Sequence, residues 1–456
     1  MGNILLKFPM PKESLNNIHI YSIMADVTQL MYILKDQKDR MMHLTSENKI
    51  IKRELPFGTN VLYTGAATII LGPRRCGKST FSFGFRGDKK FGYINFDDER
   101  LNISIEDLNH VMEAIYSLEG NVEILLFDEI QEVPEWEKFI SRLIDEKKIM
   151  ITGSNSKLSG KELSTYMTGR HINYNLLPFS FTEFLTYYGF YLEKNNVYTT
   201  EKKAELVNFL NKYMETGGFP LALKIGRDYL IDLYSDIIDH DIIQAYGIKL
   251  KSKLKEFARY VITNYSSEIS YNRLSRILEI SGKSTINNWM SYFNDAYIFF
   301  TVEKFSFKMK ESIMSPKKVY VIDDGLININ SFDRNTGRLM ENTVAIDLLK
   351  CKNYGDGNFE INYWKDYSNR KIDFVIHKGM KVLKLINVTF SSSMKDINDR
   401  EINSLIRGSV ELNCNDLYII TWDYESTEKF NGKTIKFIPL WKWLIDKDKI
   451  ITGENL

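Results

Sequence analysis

The sequence predicts an α/β protein: a parallel sheet with helices on both faces, then a mostly helical stretch ending in a short β-ribbon, then a second α/β unit. Three observations predict it. Between Ala66 and Leu176 short apolar runs alternate with stretches of helical period, the pattern of βαβ units. From Pro178 to about Gly247 the apolar spacing is mostly helical, broken at Gly217, Gly218 and Pro220. Beyond about Phe332 helix and strand patterns alternate again. At about 150 residues per domain, 456 residues accommodate three such units. The expected divisions are a helical extension over 1–50, the first sheet domain over 51–180, a helical domain over 181–330 and the last α/β domain over 331–456.

The expected strands of the first sheet are Ala67 to Leu71, Phe91 to Phe96, Val122 to Phe127, Lys148 to Thr152 and Ile172 to Leu176. Between the third and fourth, Trp136, Phe139, Ile140, Leu143 and Ile144 fall at i, i+3, i+4, i+7 and i+8, so Pro134 to Glu146 is read as a helix with one apolar face on the sheet. Pro134 sits near its first turn, where a missing N–H costs little. From Ser270 to Val321 two short helices, a turn over Ile280 to Lys283 and β-rich runs give the outline of a winged helix. Ile286, Trp289, Met290 and Phe293 form the inner face of its second helix; Asn287, Asn288, Ser291 and Asn294 form the outer one. The last unit is read as a helix over Glu341 to Lys350, strands over Glu360 to Lys365, Lys371 to His377 and Lys381 to Thr389, a helix near Asp399 to Leu412, and a strand over Asp416 to Thr421.

Composition closes off several classes. With 44% apolar and 26% charged residues, neither a disordered nor a fibrous chain fits. A net charge of +1 excludes a uniformly basic nucleic-acid coat. Cys76, Cys351 and Cys414 are too far apart for a zinc ribbon or a disulfide framework, so a reducing cytoplasm is expected. No apolar run reaches the length of a membrane span, no secretory leader is recognisable, and Leu6 stands where N-myristoylation requires Ser or Thr. No membrane association is expected.

Directly after the first strand come Gly72, Pro73, Arg74, Arg75, Cys76, Gly77, Lys78 and Ser79, which fit G-x-x-x-x-G-K-[ST] at every fixed position. Such a loop curls its N–H groups around a phosphate, and a Cβ at its glycines would obstruct the approach. This octet, with Thr80 behind it, is the expected ATP-binding stretch: Lys78 reaches the β and γ phosphates, and Ser79 ligates Mg²⁺ at a helix N-terminus. Fifty residues after Lys78, the strand Ile124, Leu125, Leu126, Phe127 ends in Asp128 and Glu129. Asp128 is expected to hold the metal through water and Glu129 to polarise the attacking water. Ser154 and Asn155, at the tip of the fourth strand, fit a γ-phosphate sensor or an ordinary turn. Arg170 fits an arginine finger reaching a neighbouring subunit, which implies an oligomer, or a plain surface residue. Arg74 and Arg75 either add charge near phosphate or pair with Asp97 or Asp98.

Charge is not evenly spread. Residues 249–318 hold thirteen Lys and Arg against six acids, a net +7, which leaves −6 for the rest. On a helix-turn-helix with a β-ribbon this is a footprint for duplex DNA, with Lys283 on phosphate and Asn287, Asn288 or Ser291 at base edges. Winged helices also serve as protein-interaction modules. In the last unit, Glu341 and Asp373 occupy the places of two acids in a restriction-enzyme nuclease, but the third and fourth places hold Asn387 and Thr389. A neutral amide binds magnesium poorly and a threonine cannot act for the missing lysine. The site is therefore read as degenerate, without cleavage unless a lysine from elsewhere substitutes. Arg400 and Glu401, on the following helix, are read as structural partners.

Taken together, these motifs resemble a prokaryotic, largely archaeal family of AAA-type P-loop ATPases with a winged helix and a restriction-endonuclease-like C-terminal domain. The likeness runs from about Ile51 to Trp422. It rests on Arg53-Glu54-Leu55, the octet at 72–79, Asp128-Glu129-Ile130-Gln131 with Trp136, Thr152-Gly153-Ser154, Gly169-Arg170, Leu177 to Phe181, Gly217-Gly218-Phe219-Pro220, Asp324-Gly325-Leu326, Glu341-Asn342 and Arg400-Glu401. The resemblance implies nucleotide and Mg²⁺ at Lys78, Ser79 and Asp128, a catalytic carboxylate at Glu129 and a sensor at Ser154 or Asn155. The departures at Asn387 and Thr389 imply a binding or scaffolding module at the end. Two functions compete: an ATPase acting on or with DNA, and a nucleotide switch that holds a protein partner and has no DNA substrate.

Overall fold

The structure, a computed structural model, describes residues 26–47, 50–55, 62–85, 89–153, 167–192, 199–280, 282–331, 335–355 and 358–452. Helix α1 (Val27–Glu47) packs on the first sheet domain through Leu30, Ile33 and Leu34, one apolar stripe at helical spacing. Its Gln37 side chain donates to Asn95 O and accepts from Asn95 N, pinning the helix to a strand end. The domain continues as β1 (Ala67–Leu71), α2 (Lys78–Phe85), β2 (Phe91–Asn95), α3 (Leu108–Glu119), β3 (Ile124–Asp128), α4 (Trp136–Leu143), β4 (Lys148–Thr152) and β5 (His171–Asn175).

These five strands form one parallel sheet in the order β2-β3-β4-β1-β5. The alternating side chains of β1 to β4 serve two cores, which is why those strands read as apolar runs, while β5, at the sheet edge, is only half-buried. Ile69, Leu125, Phe127 and Ile151 face α3 and α4; Ile70, Leu126 and Met150 face α2 and the helices that follow. Trp136, Phe139 and Ile140 of α4 are buried on the first face, as their spacing predicts. The expected strand boundaries hold to within about two residues, the usual uncertainty at element ends.

The helical part comprises α5 (Phe181–Tyr187), α6 (Thr200–Thr216), α7 (Pro220–Ile225), α8 (Arg227–Asp236), a π-helical segment Ile237–Gln244, and α9 (Lys251–Thr263). Then follow β6 (Ser267–Ile269), α10 (Tyr271–Ile277), α11 (Lys283–Asp295), β7 (Phe299–Lys304), α12 (Met309–Met314), β8 (Lys317–Val321) and α13 (Asp324–Asn330). On α11 Ile286, Trp289, Met290 and Phe293 are buried, with Phe293 stacked on Phe299 at 4.7 Å and Phe257 edge-on to Trp289 at 5.5 Å. Asn287, Asn288, Ser291 and Asn294 are exposed, as the helical period requires. Helix α12, between the two strands of the ribbon, is not foreseen by the sequence reading.

The last part is α14 (Thr336–Tyr354), β9 (Glu360–Lys365), β10 (Lys371–Lys378), β11 (Lys381–Val388), α15 (Asp399–Glu411), β12 (Leu417–Thr421), β13 (Ser426–Phe430), β14 (Lys433–Pro439) and α16 (Leu440–Thr452). The β13–β14 hairpin and α16 extend beyond the expected elements. Asn431 and Gly432, both at positive φ, make the two-residue turn. Strand β7 pairs with β9 at Glu303/Asn362 and Lys304/Tyr363, so the ribbon and the last part share one nine-stranded sheet. Among the described residues no helix is long and apolar enough to cross a membrane.

Candidate nucleotide site and a buried acid cluster

At the end of β1 the chain turns through Gly72, where a Cβ would lie 2.1 Å from Leu176 O just beyond β5. Only glycine allows that approach. Gly77 adopts φ +98, and Arg75, exposed, is held at φ +65. The Cys76 thiol donates to Leu176 O at 3.1 Å, and burial pushes its pKa up, so it packs as an apolar residue. Lys78 is buried, and its ammonium donates to Gly72 O at 3.1 Å and Pro73 O at 3.0 Å. The loop is thus closed on its own cation, with two carbonyls standing where phosphate oxygens can take over. Ser79, half-buried, and Thr80, exposed, lie in the first turn of α2.

Asp128 ends β3, almost fully buried. It accepts from the Thr152 hydroxyl of β4 and, at 3.3 Å, from the Tyr93 hydroxyl of β2. Glu129 follows in the left-handed region at φ 54, an uncommon conformation for a non-glycine residue, held by its N–H to Thr152 O at 3.0 Å. Gln131 donates to its carboxylate. Burial raises the Glu129 pKa; Lys78 opposes the rise and Asp128 adds to it. A buried carboxylate, a hydroxyl and a lysine around a glycine cradle are a hard-oxygen set that fits a polyphosphate with Mg²⁺.

Two segments cover this loop. Arg53, buried, donates to Cys76 O at 3.3 Å and to Leu177 O, and pairs with Glu183 at 3.0 Å. The turn Gly217–Pro220 is clamped on both sides: Phe179 N donates to Gly218 O at 2.8 Å, and Gly218 N donates to Asp323 at 2.6 Å. A Cβ on Gly218 would meet Phe179 O at 2.4 Å. The clamp sets Pro220, at the start of α7, about 4.0 Å from where a Cβ of Gly77 would stand. In the sequence these glycines register only as helix breaks and resemblance motifs; two glycines before an N1 proline were the available signal.

Arg74 does not pair with Asp97 or Asp98. Its guanidinium makes a two-point contact with Asp241, at 3.2 and 2.9 Å, inside the π-helical segment. Asp98 is instead held by Arg100 and Gln37, hydrogen bonds that drive its pKa down. Arg170 precedes β5, beside the start of β1 and so at the end of the strands away from the loop, hydrogen-bonded to Ser141 and paired with Asp145. Ser154 and Asn155 lie outside the described residues. Lys283, Asn287, Asn288 and Ser291 line the exposed face of α11.

The nuclease-like places converge, and a lysine from elsewhere does enter them. Lys318 of β8, 1% exposed, bonds Glu341 of α14 at 2.9 Å and Asp373 of β10 at 2.8 Å. Burial alone would lower the Lys318 pKa, but Asp373 and Glu341 outweigh it and keep the ammonium charged. Tyr320 also donates to Glu341, at 2.8 Å. Asn387 of β11 is fully buried, accepts from Asp373 N at 3.1 Å and donates to Glu401 of α15 at 2.7 Å. Burial, then Asp373, pushes Glu401 up to about 7. Thr389 lies just past β11, its N–H bonded to Ile420 O. Among the described residues no three His, Cys, Asp or Glu side chains converge to hold a metal.

Family models match in three consecutive blocks: an AAA domain over residues 64–185, a domain of unknown function (DUF8612) over 208–335 and another (DUF4143) over 336–443. The uncharacterized protein MJ1544 of Methanocaldococcus jannaschii is 34% identical over 425 residues, covering 88% of this chain and 92% of that protein. The chain belongs to its family. An uncharacterized Haemophilus influenzae protein is 24% identical over 396 residues, 82% of this chain and 93% of that protein. Among solved structures, the Walker-type ATPase PABY2304 of Pyrococcus abyssi matches at 14% identity and a TM-score of 0.35, over 65% of this chain and 95% of its own. AMPPCP-bound DnaA of Aquifex aeolicus matches at 17% identity and a TM-score of 0.22, over 52% of this chain and 84% of its own. The match over residues 64–185 makes the first domain an AAA-type one.

Lys318→Met leaves Glu341 and Asp373 buried without their cation and is expected to destabilise the fold by about 3–5 kcal/mol in urea unfolding. The loss should grow as pH rises above the ordinary carboxylate range, because burial raises the Glu341 pKa and its carboxyl resists ionisation only in the native state. Adding Glu341→Gln should recover part of it; a single mutant of wild-type stability would remove the ionic lock.

Proposed function

We propose that this protein is a Mg²⁺-dependent ATPase that works on or with duplex DNA. The observation that carries the ATPase half is the convergence of Lys78 in its glycine loop with Asp128 and Glu129 at the end of β3. In this reading Lys78 leaves its two loop carbonyls for the β and γ phosphates, and Ser79 with Asp128 holds the ion. Mg²⁺, when bound, supplies positive charge against the charge developing on the phosphates. Glu129 orients the attacking water and accepts its proton. Ser154 or Asn155 completes the site at the γ phosphate. Arg170, at the end of the strands away from the loop, serves a neighbouring subunit, so the active form is an oligomer.

The DNA half is supported by the excess of cations over residues 249–318 and by the polar exposed face of α11. In this reading β6, α10, α11, β7 and β8 form a winged helix in which Lys283 takes phosphate and Asn287, Asn288 and Ser291 face bases. In this reading Lys318, buried and bonded to both acids, takes the place of a metal rather than standing free beside one, so the cluster is a degenerate nuclease centre and the last part acts as a scaffold. A nucleotide switch that holds a protein partner is the second reading, favoured by one chain of contacts. Arg74 of the loop holds Asp241; beyond the π-helical segment Tyr246 stacks on Tyr292 at 3.8 Å and donates to Asp295 at 3.3 Å. Tyr292 and Asp295 belong to α11, so the loop and that helix are joined.

Steady-state hydrolysis tests the proposal. Glu129→Gln should lose about 10² to 10⁴ of kcat while ATP binding survives, and Lys78→Ala should lose productive binding. Duplex DNA should stimulate the wild type, and the effect should fade steeply with salt. Hydrolysis indifferent to DNA at low and moderate salt would transfer the assignment to the switch, and normal hydrolysis by Lys78→Ala would end the ATPase reading.

Because Glu129 acts only when ionised and its pKa is raised, the acid limb of the pH–rate profile should fall at a pH above the ordinary carboxylate range. An acid limb at pH 4 would show that another group controls it. Asp241→Asn should leave basal hydrolysis nearly unchanged and remove most of its stimulation by DNA; stimulation at the wild-type level would uncouple Arg74 from α11.

A further inference from the structure

The segment joining β7 to β8 carries a helix whose polarity is reversed. In α12 the polar side chains turn inward: Glu311 accepts from Lys304 at 2.7 Å and Ser306 at 2.9 Å, Ser312 donates to Lys304 O at 2.7 Å, and Ser315 donates to Glu311 O at 2.7 Å. The apolar side chains turn outward. Phe307 is 53% exposed, Met309 78%, Ile313 59% and Met314 69%. Folding alone selects the opposite arrangement, so four exposed large apolar side chains on one short protrusion mark a contact surface. Its charge is one-sided: the lone acid, Glu311, is neutralised internally, while Lys308 and Lys310 are exposed and make no salt bridge among the described residues.

The surface continues onto the last part. Phe305 stacks edge-on against Phe307 at 5.3 Å and His377 at 4.8 Å. His377 in turn bonds Gly379 O at 2.7 Å in the β10–β11 turn, where Lys378, Met380 and Lys381 are exposed. Two turns from two parts of the chain therefore present methionines flanked by lysines.

We propose that this tip is a DNA wedge: the lysines take backbone phosphates while Phe307, Met309 and Ile313 press between base steps in the minor groove. The proposal rests on the DNA reading above and extends it to a second contact, with duplex deformation as its consequence. Charge complementarity selects an anionic partner. Met, Ile and Phe are the side chains that unstack base steps, and the tip springs from β7, which packs on α11, so it extends the same basic unit.

The test uses the full chain and a labelled duplex that carries a fluorescent base analogue, titrated at several salt concentrations. Met309→Ser/Ile313→Ser should weaken binding about tenfold and abolish the analogue's unstacking signal, with the salt slope unchanged because no charge is lost. Lys308→Ala/Lys310→Ala should lower the slope by about 2. Lys283→Ala/Asn287→Ala on α11 separates the two levels. If that variant loses binding while the tip variants keep wild-type affinity and signal, the wedge is wrong and the DNA reading stands. If the wild type binds no duplex, both fall. Sedimentation with phosphatidylserine vesicles, lost on Met309→Ser/Ile313→Ser while DNA binding persists, would overturn the wedge in favour of a membrane surface.

Discussion

The peptide of Phe179 is the point on which the rest of the fold depends. Its N–H goes to Gly218 O, and its carbonyl accepts from the Tyr213 hydroxyl at 2.9 Å and the Lys350 ammonium at 2.8 Å. One backbone unit thus joins the end of the ATPase domain, α6, the glycine turn over the phosphate loop and α14. Lys350 is 1% exposed, and a cation so deep is tolerable only with carbonyls and acids nearby. Asp323 and Asp324 supply the acids, their pKa values pushed up by burial to about 6 and about 7. Any shift of α14 would therefore be felt at the loop through buried, directional bonds, which do not slide as apolar packing can.

Close packing at this point explains which parts of the site could be read from the sequence. The octet 72–79 is legible because its whole pattern lies in consecutive residues, even though the contact that demands glycine at Gly72, the Leu176 carbonyl, comes from far along the chain. Strands β1 and β3 are legible because both faces are covered and the apolar runs are nearly unbroken. Arg74 was not, since Asp241 stands 167 residues away in a segment of ordinary helical composition. Asp97 and Asp98 were near in sequence, and nearness in sequence says nothing about which carboxylate a buried guanidinium meets. Helix α12 was invisible for another reason: reversed polarity gives a pattern that looks like a loop. The β13–β14 hairpin did carry a signal, Asn431-Gly432, that the reading passed over.

Lys318 shows how a metal-type arrangement can become a structural one. Carboxylates from α14 and β10 meet in a buried place where their mutual repulsion needs a positive charge. A divalent ion held by a third acid would supply it, but Asn387 has no charge to offer. An ammonium from the neighbouring ribbon supplies it instead, and because it arrives on β8, the charge that satisfies the cluster also fastens the ribbon to the last part. A neutral Asn387 beside the two acids and an internal Lys318 between them meet one electrostatic requirement.

The same logic runs between the loop and α11. Arg74 sits where phosphate charge would compete with Asp241 for its guanidinium, and Asp241 is 3% exposed, so releasing it would leave a buried carboxylate without its partner. That cost can be met by repacking the segment that carries it, and the π-helical segment, underwound relative to an α-helix because its hydrogen bonds reach one residue further, is a place where repacking is local. Its far end stacks Tyr246 on Tyr292 of α11. Arg74 of the loop and the exposed polar helix α11 are thus joined by one ion pair, the π-helical segment and one ring stack.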